Sequence, residues 1–296
     1  MFFDTHVHSQ FSFDGSRTSV ERSAREAIVE GLGGICITDH NDIFVPSGKA
    51  GHGETGKEDF DVAAQQAEID RVNAAIASGK VEKGGILEGV TRDTWPRVKK
   101  FRVFKGVEVG MYREAREKVR KYLSENEFDQ VIASVHYLDD TDPYWGEYYN
   151  GKNWKEAYGH YLDTVYSEMK WLGNDFDILG HFDYIARYAP YPKQSIFYRD
   201  FAGEIDEILK FLAREGKGLE INTKTYQKYG LRTPELDRDI LMRYREVGGE
   251  IITLGSDAHD PTRVGDKFMY YAQYVKMFGF RWLAHYEGRR LKQVTI

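Results

Sequence analysis

Apolar positions along this chain fall into two alternating rhythms. Short, nearly continuous apolar and β-branched runs predict buried strands at Phe2–Val7, Gly34–Thr38, Phe101–Val109, Gln130–Val135, Phe176–Leu179, Leu219–Ile221 and Ile251–Leu254. Longer amphipathic stretches lie between them. In Asp59–Ala77 the residues Ala63, Ala67, Ile69, Val72 and Ile76 recur at helical spacing. Arg113–Leu123, Trp154–Leu172 and Phe201–Glu215 read the same way, and Trp154, Tyr158, Tyr161 and Val165 form a core-facing stripe. Thr18 opens a Thr-Ser-Val-Glu capping-box pattern, so a helix should run to Glu30 and stop at Gly31. Pro234–Val247 reads as a helix opened by proline, and a further helix falls within Arg263–Phe278.

Strand followed by helix, repeated seven times, implies parallel strands joined by right-handed crossovers. The expected fold is α/β: a distorted, TIM-like (β/α)7 barrel, closed or nearly so, with an open doubly wound sheet as the alternative. Two stretches break the rhythm. Pro46–Lys57 carries four glycines, and Asp139–Asn153 is rich in Tyr, Trp, Asp and Gly. Neither has the composition of a linker, so residues 1–296 read as a single domain.

Composition narrows the function. The 296 residues are 41% hydrophobic and 30% charged, with net charge −6. That balance offers no global field for gripping nucleic acid, although metal ions can invert charge locally for a small anionic substrate. The single cysteine, Cys36, sits in the second strand, which excludes an internal disulfide and a thiolate metal site. No apolar run reaches the ~18 residues of a membrane span. Met1-Phe2-Phe3-Asp4 shows neither a basic region nor a cleavage site, so a cytoplasmic location is expected.

The chemistry gathers just after the strands. Strand one leads into Asp4-Thr5-His6-Val7-His8 and then Asp14; strand two into Asp39-His40-Asn41-Asp42. Strand three ends at Glu108, strand four at His136, and strand five at Gly180-His181-Phe182-Asp183. Strand six ends at Glu220-Ile221-Asn222, and strand seven at Gly255-Ser256-Asp257-Ala258-His259. Six of the nine histidines occupy these ends. In a parallel barrel all strand C-termini share one face, so these side chains converge. Imidazoles and carboxylates without thiols suit Zn, Mn or Fe. The i, i+2 spacing of His6 and His8 points both rings to one side of a strand.

Other motifs carry less. Gly51–Lys57 imitates a nucleotide-binding loop, but Glu58 stands where Ser or Thr is needed, and His52 within it reads as solvent-exposed. No Gly-x-Ser-x-Gly elbow is present. His160 and His285 lie outside the strand-end pattern. Tyr144, Trp145, Tyr148 and Tyr149 could wall a pocket or form a subunit contact. Arg187, Lys224 and Arg263 follow strands on the site side and are candidate phosphate ligands, while Asp42 and Asp183 are candidates for a cationic amine.

As a set, Asp4-Thr5-His6-Val7-His8-Ser9, Thr38-Asp39-His40, Glu108, Ser134-Val135-His136, Gly180-His181-Phe182-Asp183 and Gly255-Ser256-Asp257-Ala258-His259 resemble the polymerase-and-histidinol-phosphatase (PHP) superfamily. Phe11–Gly15, Gly180–Tyr188 and Glu220–Thr223 are most similar to its stand-alone histidinol-phosphate phosphatases. The resemblance implies a seven-stranded distorted barrel and a trinuclear divalent metal site of Zn, Mn or Fe. His6, His8, Glu108 and Asp257 would hold one metal, with Glu108 bridging to a second on His136 and His181. Asp14, His40 and His259 would hold the third. Glu108, Asp257 and His259 would thereby be the catalytic ligands around a metal-bridging hydroxide. The implied substrate is a small phosphorylated metabolite, L-histidinol phosphate, within histidine biosynthesis. A metal-dependent nuclease or phosphodiesterase of the same superfamily is the alternative, and a non-catalytic scaffold is a third reading.

Overall fold

The computed structural model describes residues 1–43, 59–229 and 232–296. The expected loop Pro46–Lys57, with the nucleotide-loop mimic and His52, lies outside them. A barrel is built from β1 (Phe3–Val7), β2 (Gly34–Ile37), β4 (Arg102–Gly110), β5 (Gln130–Ser134), β6 (Ile178–Leu179), β7 (Gly218–Asn222) and β8 (Ile252–Gly255). These seven pair in that order, every pair parallel. The short β3 (His40–Asn41) extends the sheet beyond β2 and pairs with β4, setting His40 beside Glu108. Closure between β8 and β1 is made by two backbone bonds, from the Asp257 N–H to the His6 carbonyl (2.8 Å) and from the His8 N–H to the Ala258 carbonyl (3.0 Å).

The helices wrap this barrel: α1 (Val20–Glu30), α2 (Val62–Ser78), α3 (Trp95–Val98), α4 (Arg116–Glu125), α5 (Trp154–Leu172), α6 (Tyr184–Arg187), α7 (Ala202–Glu215), α8 (Arg238–Glu246) and α9 (Phe268–Met277). Each long helix buries one stripe against the strands. In α5 that stripe holds Tyr158, Tyr161, Leu162 and Val165, and Asn153 with Glu156 forms a reciprocal capping box at its start. No helix among the described residues is long and apolar enough to cross a membrane.

The expectations shift in four places. Ser19, not Thr18, caps α1 by accepting the Arg22 N–H; the Thr18 hydroxyl bonds Ser23 instead. Asp237 caps α8, and Pro234 lies in the preceding loop. β6 is shorter than expected: the Asp177 N–H still bonds the Val131 carbonyl, but the Val131 N–H goes to the Asp177 carboxylate instead of to a backbone carbonyl of this strand. A C-terminal hairpin, β9 (Trp282–Glu287) and β10 (Arg290–Thr295), was not expected. Its Tyr286 packs on Ile132 and Ile178 and donates to the Asp177 carbonyl, which places the hairpin at the strand-entry end of the barrel.

Candidate metal centre and its cavity

The strand ends deliver their side chains to one point because several backbones leave room. A Cβ at Gly255 would overlap the Glu220 carboxylate, and one at Gly110 would overlap that of Asp42. Asp257 sits in the left-handed region at φ 51°, a conformation costing about 1–2 kcal/mol for a non-glycine residue. The turn is held by Asp4, whose buried carboxylate accepts the N–H groups of Ser256 (3.0 Å) and Gly265 (2.9 Å). Burial pushes the Asp4 carboxyl up to about 6 against those hydrogen bonds.

Glu108, fully buried, is the hub. Five imidazole nitrogens approach its two oxygens: His181 Nε2 at 2.8 Å, His40 Nδ1 at 3.0 Å, His6 Nε2 at 3.1 Å, His136 Nε2 at 3.2 Å and His8 Nε2 at 3.5 Å. Ser134 Oγ donates to the same carboxylate at 2.6 Å. Three of the surrounding rings are oriented from behind. His6 Nδ1 meets Glu220 Oε1 at 2.7 Å, His136 Nδ1 meets Asp42 Oδ2 at 3.0 Å, and His259 Nδ1 meets the Asp257 carbonyl at 2.9 Å. Those acceptors place the Nδ1 proton, so each Nε2 turns a lone pair inward. His6 Nε2 then faces His8 Nε2 at 3.1 Å, and His259 Nε2 faces Asp14 Oδ2 at 2.6 Å.

Lone pairs set against lone pairs repel unless a cation lies between them. Glu108 Oε2, His40 Nδ1 and His259 Nε2 are buried and close to other donors, yet make no hydrogen bond. The donor set therefore fits metal ions. Without ions, protons compensate the buried charge. Burial opposes charge on His6, but Glu108, Glu220 and Asp257 together carry it well above its ordinary value. Burial is likewise outweighed at His40, which Glu108 and Asp14 raise to about 10, and at His136, which Asp42 and Glu108 raise. Burial wins at His8, with His259 and His40 adding to it, and at His181, lowered to about 4. The carboxylates of Glu108 and Asp257 are held well below their usual range: burial resists, but His6 and His136 prevail on Glu108, and Lys224 and Arg187 on Asp257.

Three groups of donors are close enough to share an ion: His6, His8 and Asp257; His40, Glu108 and His136; and His8, Asp14, His40 and His259. All nine expected ligand residues meet here. His40 stands with Glu108 and His136 where the resemblance has His181, and His8 and His40 each reach two groups.

The donors open into a cavity of about 260 Å³ lined also by Phe13, Asp42, Tyr137, Asp142, Tyr144, Tyr184, Arg187, Tyr188 and Lys224. Arg187 and Lys224 are both drawn onto Asp257. Arg187 Nη1 donates to Asp257 Oδ2 at 2.9 Å and Nε to Thr225 Oγ1 at 2.9 Å, leaving only Nη2 without a partner. Lys224 Nζ lies 3.1 Å from Asp257 Oδ1 and 3.1 Å from His259 Nδ1. Two candidates are corrected. Arg263 lies outside the cavity lining and pairs with Asp266 at 2.6 Å, because the 3-10 turn Pro261–Arg263 carries it away. Asp183 is buried behind the wall, where it accepts the Tyr226 hydroxyl at 2.7 Å. Asp42 lines the cavity but is committed to His136. The loop tyrosines divide: Tyr144 lines the cavity, whereas Tyr148 and Tyr149 are core. His160 meets Asp139 at 3.0 Å in a wider neighbouring cleft of about 590 Å³ that lacks converging donors. Glu220, Asp142 and Tyr184 were not assigned from sequence.

Fold and donors together define a metal-binding barrel, and residues 4–224 match the PHP domain family, to which the chain belongs. It is 30% identical over 291 residues to the histidinol-phosphatase of Lactococcus lactis, covering 97% of this chain and 95% of that one. A Clostridium acetobutylicum protein described as a probable histidinol-phosphatase is 31% identical over 268 residues, 90% of each chain. Among solved structures, the Lactococcus lactis histidinol phosphate phosphatase in complex with zinc, L-histidinol and phosphate superposes with a TM-score of 0.79. It is 28% identical, with 98% of both chains covered.

Proposed function

We propose that the protein is a metal-dependent phosphomonoesterase that hydrolyses L-histidinol phosphate to L-histidinol and phosphate, a step of histidine biosynthesis. The observation that carries this reading is Glu108: one buried carboxylate with five imidazole nitrogens within 3.5 Å, a geometry suited to ions. Relatives of that activity spanning nearly the whole chain support the substrate. His6, His8, Glu108 and Asp257 would hold one ion, Glu108 with His136 and His181 a second, and Asp14, His40 and His259 a third, drawn from zinc, manganese and iron.

When bound, the ions supply an activated water at neutral pH and positive charge for the phosphate oxygens. The chain does the rest. Glu220, Asp42 and the Asp257 carbonyl fix the rings of His6, His136 and His259 in one tautomer. Arg187, through Nη2, and Lys224 bring two cations to the phosphate end of the cavity. Phe13 and the tyrosine wall exclude bulk water from the reacting bond.

The test is phosphate release by zinc-loaded and manganese-loaded protein on L-histidinol phosphate, other amino-alcohol and sugar phosphates, and a phosphodiester. L-Histidinol phosphate should have the highest kcat/KM. Preference for the phosphodiester or for a single-stranded oligonucleotide would overturn the reading in favour of a nuclease.

A further inference from the structure

The cavity has a second chemical pole. Four of its lining residues are acids. Asp14 and Asp257 belong to the metal donors, and Asp42 is held by His136. Asp142 has no such employment. Its Oδ1 accepts both the Tyr144 N–H (2.8 Å) and the Tyr184 hydroxyl (2.9 Å), while Oδ2 accepts no hydrogen bond among the described residues. The cavity's two cations are drawn onto Asp257 rather than onto Asp142. Asp142 is thus a carboxylate oriented by two donors, with one oxygen left for a ligand.

Aromatic rings surround it. Tyr188 stacks edge-to-face on both Tyr144 (5.0 Å, 79°) and Tyr184 (5.4 Å, 72°). The Tyr184 ring also lies 5.1 Å from His181 and 5.9 Å from His136. Tyr184 therefore spans the cavity, with its ring against the metal donors and its hydroxyl on Asp142. A ligand whose phosphate sits on the donors would reach Asp142 about one tyrosine length away.

We propose that Asp142, framed by Tyr144, Tyr184 and Tyr188, is a subsite for a protonated nitrogen on the alcohol half of the substrate, and that it makes the enzyme selective for amino-alcohol phosphates. A carboxylate gives such a nitrogen a charge-assisted hydrogen bond, and tyrosine faces add cation–π attraction. Burial, the largest influence on Asp142, pushes its carboxyl above the ordinary range, as befits a carboxylate waiting for a cation. The proposal rests on the phosphomonoesterase reading and adds to it the residue that chooses the leaving group.

The experiment compares kcat/KM for L-histidinol phosphate with that for 3-phenylpropyl phosphate, which offers a ring and no nitrogen. In Asp142→Asn the ratio of the two should fall at least about 10-fold, carried by KM for the amine ester. L-Histidinol binding, measured by calorimetry on the zinc-loaded protein, should weaken by the same factor. Tyr184→Phe keeps the ring and removes one donor, so it should lower the ratio by about 3-fold, and it stands in if Asp142→Asn does not fold. A ratio within 2-fold of wild type in the folded variants, or an equal loss on both esters, overturns the subsite and leaves the phosphatase reading standing. Wild-type protein that hydrolyses neither ester overturns both.

Discussion

The two ends of this barrel treat buried charge in opposite ways. At the strand-entry end the charged side chains Asp177, Asp129 and Lys217 each meet partners of the opposite kind. Asp177 accepts the Val131 N–H and the Arg289 guanidinium, Asp129 accepts the N–H groups of Lys105 and Gly288, and Lys217 donates to the Phe176 carbonyl. At the strand-exit end, imidazoles and carboxylates converge with lone pairs facing one another, and several buried atoms make no hydrogen bond. Satisfied buried groups stabilise a fold, whereas unsatisfied ones cost it about 1–3 kcal/mol each. The entry end is built for stability and the exit end for a ligand, so substitutions at the two ends should move different observables.

The largest effect is expected at the hub. Glu108→Gln keeps the shape and removes the charge that five imidazoles surround, so kcat should fall by at least ~10²-fold and zinc content should drop. His136→Ala should lose activity to a similar degree. Activity and zinc content within 2-fold of wild type in either variant would remove that residue from the metal donors.

The entry end gives the mirror image. Tyr286→Ala empties a site against Ile132 and Ile178 and strips a hydroxyl from the Asp177 carbonyl. Loss of a buried aromatic costs about 3–5 kcal/mol. Chemical denaturation should show that loss, while kcat per folded molecule on L-histidinol phosphate stays within 2-fold. A matching fall in kcat would show that the two ends are not independent.

A smaller effect is expected at Arg187. Two of its three nitrogens are already bonded to Asp257 and Thr225, so a substrate phosphate meets mainly Nη2 rather than the full guanidinium fork. Arg187→Ala should raise KM about 10-fold, or roughly 1.4 kcal/mol. Unchanged KM for the monoester would remove Arg187 from the phosphate end.

How much of this was legible in the sequence follows from the range of each interaction. The strand-end histidines could be read because strand, turn and ligand are neighbours along the chain, and parallel topology makes such neighbours converge. Glu220 also stood at a strand end, but its bond to His6 joins residues 214 apart and depends on which strands meet across the barrel. Asp142 sits in a stretch without periodicity, between β5 and α5, where only the three-dimensional path of the loop assigns a role. Arg263 was misplaced because nearness to Asp257 in sequence says nothing of direction once the chain passes through a left-handed turn. The hairpin escaped because β10 is almost wholly exposed and carries no buried stripe to signal a strand.

The smallest effect is a pH dependence confined to the entry end. His285, on β9, stacks on Phe3 with ring centroids 3.7 Å apart and planes within 6°. Burial, reinforced by Lys292 and opposed by Glu287, lowers its pKa below the ordinary 6.5. The folded protein therefore holds His285 neutral while the unfolded chain protonates it below about pH 6.5. Its contribution to stability is complete above that pH and shrinks as the pH falls, by at most about 1.4 kcal/mol per pH unit until the folded group itself titrates. His285→Phe keeps a ring on Phe3 and cannot be protonated. Its melting temperature minus that of the wild type should thus grow as pH is lowered from 7 to 5 and stay flat from 7 to 8. Because the variant differs from the wild type only at this position, titration of the exit-end histidines cancels in the difference. A difference independent of pH would show that His285 keeps its ordinary proton affinity in the fold.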